Sequence, residues 1–349
     1  MKAIVIYNPE AGQYPLEDEL QQAIALLNER NWEIVGVERT LGQGDATTYA
    51  RAAAARKCDA VFVAGGDGTI AQTVDGLVGA ETALAVLPGG SGNVFARQLG
   101  LPVPGGLHPH PMLESARLLT DGRIHQVDVG RVTPLGGQGH VHHFLCWCGV
   151  GFDAQLNLIV ESDRERRQRL GLGAFFVAAY STLRDYLGMP AVVRVDGHRV
   201  SRRLIMLEAS NIQLYGIFFK IAPSAAMDDG WLNVYCFQGR GPARTILHAL
   251  RLLFSRHLQD PEVDVFRARR IEVKTGKPLP IHVDGEPIGY TPIAIETVPN
   301  ALRLLVPPCA PASLFVQDAE WLQPETPWQW VVRVARDAQS AFKEISGLP

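Results

Sequence analysis

Two short stretches have the composition of phosphate-binding turns: Gly65-Gly66-Asp67-Gly68-Thr69 and Gly89-Gly90-Ser91-Gly92-Asn93. Each follows an apolar, strand-like run and precedes a helical one. Glycine lets the main chain come close to a phosphate, and the helix that follows offers free N–H groups and the positive end of its dipole. Thr69, Ser91 and Asn93 add donors or helix caps. Asp67 repels a phosphate in direct contact, so it makes sense through Mg²⁺ or as the orienter of a neighbouring donor. One such loop is as readily a tight strand-to-helix turn; two in one sheet favour the phosphate.

Other nucleotide signatures fit less well. No G-x-x-x-x-G-K-[ST] run occurs, which excludes a P-loop protein. Gly66–Ala71 and Gly149–Ala154 match the loose G-x-G-x-x-A dinucleotide pattern. Where the first match should place its ribose-binding acid, the chain reads Leu87-Pro88-Gly89-Gly90, so hydride transfer falls behind.

The elements that must position these loops alternate. Ala3–Tyr7, Glu33–Val37, Ala60–Ala64 and Ala83–Leu87 read as strands. Leu16–Glu29, the alanine-rich run capped by Asp45, Ile70–Val78 and Val94–Leu99 read as helices. Apolar strands alternating with helices predict a parallel sheet covered on both faces, with ligands outside the carboxyl ends of the strands.

After about Val127 short β-rich runs dominate: 126–133, 142–148, 191–195, 204–210, 231–237, 270–274, 281–283 and 294–296. Asp196-Gly197 and Asp284-Gly285 sit between such runs as hairpin turns. This half should be an antiparallel sandwich interrupted by helices near 173–187 and 243–255. The expected division is 1–127 for the α/β domain and 128–300 for the sandwich. A strand in 301–317 returns to the first domain, and a helical tail over 318–349 carries an apolar stripe from Trp328 to Ile345.

The 349 residues are enough for two cores of ordinary size, and 47% hydrophobic against 20% charged residues is a globular composition. A net charge of −3 argues against a dedicated nucleic-acid binder and leaves room only for a local basic patch. No apolar run has the ~20 residues of a membrane-spanning helix, and the N-terminus reads as a strand, without a signal peptide. Five cysteines, most of them in apolar runs, read as buried thiols of a reducing cytoplasm. His140, His142 and His143 read as strand-surface histidines, and His108-Pro109-His110-Pro111 as an extended linker.

An ordered set of motifs from Asn8 to about Pro308 resembles the diacylglycerol kinase catalytic domain family, including its YegS-like and sphingosine-kinase-like members. The set comprises Asn8-Pro9-x-x-Gly12, Thr40 with Gly44-Asp45-Ala46, the Gly65–Thr69 loop and Pro88-x-Gly90-Ser91-Gly92-Asn93 with Phe95-Ala96-Arg97. It continues through Asp128-x-Gly130, Gly149-x-Gly151-x-Asp153-Ala154, Asp228-Asp229-Gly230-x-Leu232 and Asp284-Gly285-Glu286. The Gly65–Thr69 motif alone is shared with NAD kinases.

The resemblance implies an N-terminal α/β nucleotide-binding domain, a C-terminal antiparallel β-sandwich and ATP in the cleft between them. It implies ATP binding by Asn8, Gly12, Thr40, Gly65, Gly66, Asp67, Gly68, Thr69, Gly90, Ser91 and Asn93. Asp284 and Glu286 would form the acidic pair at the acceptor hydroxyl, and Asp128 is a further family-motif position. Asp229 with the carbonyls of Ala226 and Trp231 resembles the family's structural Mg²⁺ site. The chain departs from the pattern in two places. Ala11 and Gln13 stand where a serine and a basic residue are usual, and Val94 where diacylglycerol kinases often have Asp.

Phosphoryl transfer asks for positioning and charge neutralisation, and an alcohol needs a carboxylate to accept its proton as attack develops. Asp284 or Glu286 is the candidate; composition and spacing do not separate base from metal ligand. The expectation is an ATP- and Mg²⁺-dependent lipid kinase, cytoplasmic and peripheral to the membrane. Its acceptor is a diacylglycerol-like or sphingoid-like lipid. A basic-then-apolar stretch, Arg164 to Phe176, suits an anionic lipid surface, and a homo-oligomer is compatible with the chain. The alternatives are a NAD kinase-like enzyme with a soluble acceptor and a non-catalytic nucleotide or lipid sensor.

Overall fold

The computed structural model describes residues 1–12, 16–90, 92–105, 108–137, 139–162, 187–217 and 219–316. The first half runs β1 (Lys2–Tyr7), α1 (Glu17–Glu29), β2 (Glu33–Arg39), α2 (Asp45–Ala55), β3 (Ala60–Gly65), α3 (Asp67–Leu77), β4 (Ala83–Pro88), α4 (Val94–Gln98) and α5 (Pro111–Thr120). β1 pairs in parallel with β2 and β3, and β3 with β4, giving the order β2-β1-β3-β4. Every residue of β3 and β4 is buried, as expected of strands covered on both faces, whereas edge strand β2 alternates and exposes Val35 and Val37. The ring of Trp32 meets that of Phe62 edge-on beneath the sheet.

Two local expectations are corrected here. Asp45 does not cap α2: Gly44 holds the cap position in a left-handed conformation, and the Asp45 carboxylate turns back to accept from the N–H groups of Leu41 and Gly42. The His108–Pro111 segment is not a linker but the entrance to α5. Pro111 opens that helix, and Glu19 of α1 takes the otherwise unpaired N–H groups of Met112 and Leu113.

The second half runs β5 (Arg123–Pro134), β6 (His142–Phe144), β7 (Trp147–Gly151), α6 (Phe152–Ser162), β8 (Met189–Val195), β9 (His198–Ser210), β10 (Leu214–Tyr215), β11 (Phe219–Lys220) and β12 (Leu232–Gln238). There follow α7 (Pro242–Leu253), β13 (Val263–Ala268), β14 (Arg270–Thr275), β15 (Pro280–Val283), β16 (Glu286–Tyr290) and β17 (Ile293–Val306). It is an antiparallel β-sandwich, and its inner faces bury Val132, Phe144, Val150, Val193, Leu207, Val234, Ile271 and Ile295. The helix read near 173–187 and the tail over 318–349 lie outside the described residues, as does the Arg164–Phe176 stretch. No helix among the described residues is long and apolar enough to cross a membrane. Cys309 is exposed, unlike the other four cysteines.

β17 connects the two halves. One end pairs with β14 of the sandwich and the other with β4 of the parallel sheet, through Leu304 and Leu84. β5 runs antiparallel along nearly its whole length, with one slip in register between Val298 and Leu302. Asp128 fills that slip. Its carboxylate accepts from the N–H of Asn300 and from that of Gly230. Two residues on, Gly130 is glycine because the ring of Phe144 lies directly over it, where a Cβ would stand. Gly130→Ala forces that fully buried ring aside and should cost about 1–3 kcal/mol, read as a lower denaturant midpoint, with the nucleotide sheet unaffected.

Candidate active site

The carboxyl ends of β1, β3 and β4 lie side by side, so their loops touch. Asn93 joins two of them: its Nδ2 donates to the Gly65 carbonyl at 3.0 Å, and its Oδ1 accepts from the Gly90 N–H at 2.6 Å. This side chain is fully buried, and its backbone is left-handed at φ 39°, a conformation Asn tolerates better than most residues. Asn8 adds a third tie, donating from Nδ2 to the Thr69 hydroxyl at 3.0 Å. Contact between the loops explains several glycines. A Cβ on Gly90 would come within 2.9 Å of the Gly66 Cα, and one on Gly12 would strike the Gly89 carbonyl. Thr40, at the end of β2, donates its N–H to the Tyr7 carbonyl at 2.9 Å and so borders the same edge. Ser91 lies outside the described residues.

Asp67 takes the second of the two roles open to it. Its carboxylate accepts from Val94 and Phe95 N–H at 3.0 and 3.2 Å, fastening the β4 loop to α3. Burial raises its pKa, and these two N–H groups oppose the rise. The first two N–H groups of α4 are therefore occupied by protein, and the positive end of a helix dipole is offered instead at the start of α3, where Gly66 is the cap residue.

Across the cleft, Asp284 and Gly285 form a tight hairpin turn with φ of 48° and 88°. The Asp284 carboxylate accepts three N–H groups, from Leu145 at 2.8 Å and from Cys146 and Trp147 at 2.9 Å. Those bonds favour its charged form, yet burial, aided by the charge of Asp67, pushes its pKa up to about 6. Both oxygens of Asp284 are thus engaged in holding the turn. Glu286, next in the motif, points towards the first glycine loop, and a Cβ on Gly68 would fall on its Oε1.

Behind this turn is a cluster with no motif signal beyond Asp153. His282 Nε2 lies 2.6 Å from Asp153 Oδ2, which also accepts from the Tyr215 hydroxyl at 3.2 Å. Glu208 is fully buried beside them, its pKa raised well above the usual range by burial and by Asp153. Register brings His282 opposite Gly149 and Gly149 opposite Glu208, and a side chain at 149 would collide with all three groups. Asp153, Glu208 and His282 are placed closely enough to suggest a metal ion. The hydrogen bonding suits protons better: Gly285 N–H donates to His282 Nδ1, so Nε2 keeps its proton and gives it to Asp153. Sequence reading missed Glu208, Tyr215 and His282 because only strand pairing brings them together.

Asp229 has its own partners. Oδ1 accepts from Trp231 N–H at 2.9 Å and Oδ2 from Arg267 at 2.6 Å, while Arg267 and Arg269 both lie over the Trp231 ring. A guanidinium thus stands against the carboxylate that the sequence, with the Ala226 and Trp231 carbonyls, assigns to a structural Mg²⁺. Asp67→Ala leaves two amides at the head of α4 without an acceptor and should lower stability by about 2–3 kcal/mol. Asp67→Asn, which keeps one acceptor, should lie between the two in a thermal melt.

Comparison with known proteins agrees with this architecture. The diacylglycerol kinase catalytic domain model matches residues 2–132, and the YegS C-terminal NAD kinase beta sandwich-like domain model matches residues 147–306. The diacylglycerol kinase of Bacillus subtilis (strain 168) is 27% identical over 308 residues, covering 88% of this chain and 96% of the relative. That of Mycobacterium tuberculosis (strain CDC 1551 / Oshkosh) is 28% identical over 309 residues, covering 88% and 95%. A solved structure from Bacillus anthracis str. Sterne that carries the diacylglycerol kinase name superposes with a TM-score of 0.69 at 26% identity, covering 88% of this chain and 98% of that one. Two glycine loops tied by Asn93, an acidic turn facing them from a sandwich and matches to both halves place the chain in the diacylglycerol kinase family, as a kinase with an alcohol acceptor.

Proposed function

We propose that the protein transfers the γ-phosphate of ATP to the free hydroxyl of a membrane lipid, diacylglycerol-like or sphingoid-like. The observation that carries this reading is the approach of Glu286, from the sandwich, to Gly68 of the first glycine loop. It sets a carboxylate opposite the place where a triphosphate would lie. The names of the relatives support the lipid acceptor.

The N–H groups at the start of α3 and the close-packed glycines receive the phosphates, with Thr69, Asn8 and Thr40 at the rim. Asp67 and Asn93 act one step back, by fixing the loops. Glu286, whose carboxylate approaches Gly68 of the first glycine loop, is the residue placed to accept the acceptor's proton. Mg²⁺ would be held by Glu286 together with substrate phosphates, and when bound it would neutralise charge on the phosphates. Peripheral contact with a cytoplasmic membrane face completes the reading.

The direct test is transfer of labelled γ-phosphate from ATP into a panel of diacylglycerol, sphingoid and phosphatidylglycerol acceptors. Glu286→Gln should lower turnover about 10²–10⁴-fold while ATP affinity changes little. Transfer to NAD⁺ in a lipid-free assay, with none to lipid, would replace this reading. Because Asp284 must be ionised to hold all three amides, activity should fall as pH drops through about 6. A pH profile of kcat/KM should show that acid limb in the native enzyme, and Asp284→Asn should abolish the limb along with most of the activity.

A further inference from the structure

Among the described residues, helix α7 is packed on one side only. Its residues Thr245, His248 and Leu252 are buried, and His248 Nε2 donates to the Gln238 carbonyl at 2.7 Å. The outer side carries Ile246, Leu247 and Leu250, exposed by 45%, 36% and 45%; Phe254 and Leu258 follow at 51% and 47%. Ile246, Leu247 and Leu250 share one face of the helix, with Phe254 at its C-terminal cap; Leu258 lies in the short 3-10 turn that follows the left-handed Ser255.

The charge around that face is segregated. From Gly239 to Gln259 the chain has no Asp or Glu and four arginines, in a protein whose net charge is −3. Arg244 and Arg251 turn inward to Asp260, which is buried, and Arg244 also meets Glu262. Arg240 and Arg256 are exposed, one before the helix and one after it. A helix with an apolar outer face, cationic ends and no acid is the type that lies in the plane of an anionic bilayer.

The core beneath the helix extends towards the site. Leu252 of α7 packs in one apolar cluster with Tyr235, Phe237 and, at its edge, Tyr215. Tyr215 donates to Asp153 and packs on Trp147, whose own N–H is held by Asp284. The core under that face therefore reaches the acidic turn.

We propose that the outer face of α7, with Phe254 and Leu258, docks on anionic bilayers, its apolar side chains among the acyl chains and Arg240 and Arg256 among the headgroups. This deepens the lipid-kinase reading and rests on it.

The test is co-sedimentation of the full-length protein with vesicles of phosphatidylglycerol and, separately, of phosphatidylcholine. The protein should bind the former more tightly, and added salt should weaken the binding. Ile246→Asp with Leu250→Asp should reduce binding at least tenfold. Arg240→Glu with Arg256→Glu should reduce it several-fold and remove most of the salt dependence, while both variants keep the native melting midpoint. Turnover on lipid dispersed in detergent micelles should stay within about twofold of native in both. Unchanged vesicle binding in the Ile246/Leu250 variant overturns the proposal even if the charge variant binds less. So does a switch from dimer to monomer in that variant with vesicle binding retained, which would assign the face to a second copy. Should no lipid be phosphorylated while vesicle binding follows this pattern, the docking surface stands and the kinase reading falls.

Discussion

The carboxamide of Asn93 carries the constraint on which the nucleotide side depends. Two glycine loops leave neighbouring strands and have few side chains of their own to hold them, so something must fix their separation. One buried amide does so by donating to the first loop and accepting from the second. The same group could not be an Asp, which lacks the donor, or a Leu, which lacks both. Asp67 repeats the device in the other direction, from the first loop to the head of α4. Glycine supplies close approach, and these two polar side chains turn close approach into a fixed shape.

Acidic groups are arranged around the cleft by the cost of burying them. Asp67 and Asp284 each stand against backbone N–H groups, which is how a poorly solvated carboxylate keeps its charge. Glu208 has no comparable donors and is pushed towards its neutral form. Asp153, between His282 and Tyr215, is pulled the other way despite its burial. Two neighbouring carboxyls are thus pushed in opposite directions, and the turn bearing Glu286 rests on that arrangement through Gly285 and His282.

Much of the site was legible in the chain because its residues sit in short local motifs. Glycine loops after apolar strands, and Asp-Gly between β runs, announce themselves by composition, and both halves of the fold follow from the alternation of elements. What escaped was nonlocal. Glu208 and His282 lie on different strands and meet only through register. The glycines were read mainly as making room for phosphate, whereas Gly12, Gly90 and Gly130 make room for the protein's own backbone and for Phe144. Asp229, legible as a motif, gave no sign of its pairing with Arg267, because 38 positions separate them. Helix α5 was hidden by prolines that read as a linker; Pro111 is tolerated because a helix's first residue needs no hydrogen bond from its nitrogen.

The ladder between β5 and β17 bears on how such an enzyme can accommodate a substrate. Those strands are paired on both sides of the slip at Val298–Leu302, so they belong to both halves at once. Swinging one half away from the other on a hinge would have to break several main-chain hydrogen bonds together or concentrate all the bending at Asn300, where Asp128 holds the backbone. Any parting of the two halves is therefore steered by the ladder, with the register slip at Asn300 as the one place where its pairing is already interrupted.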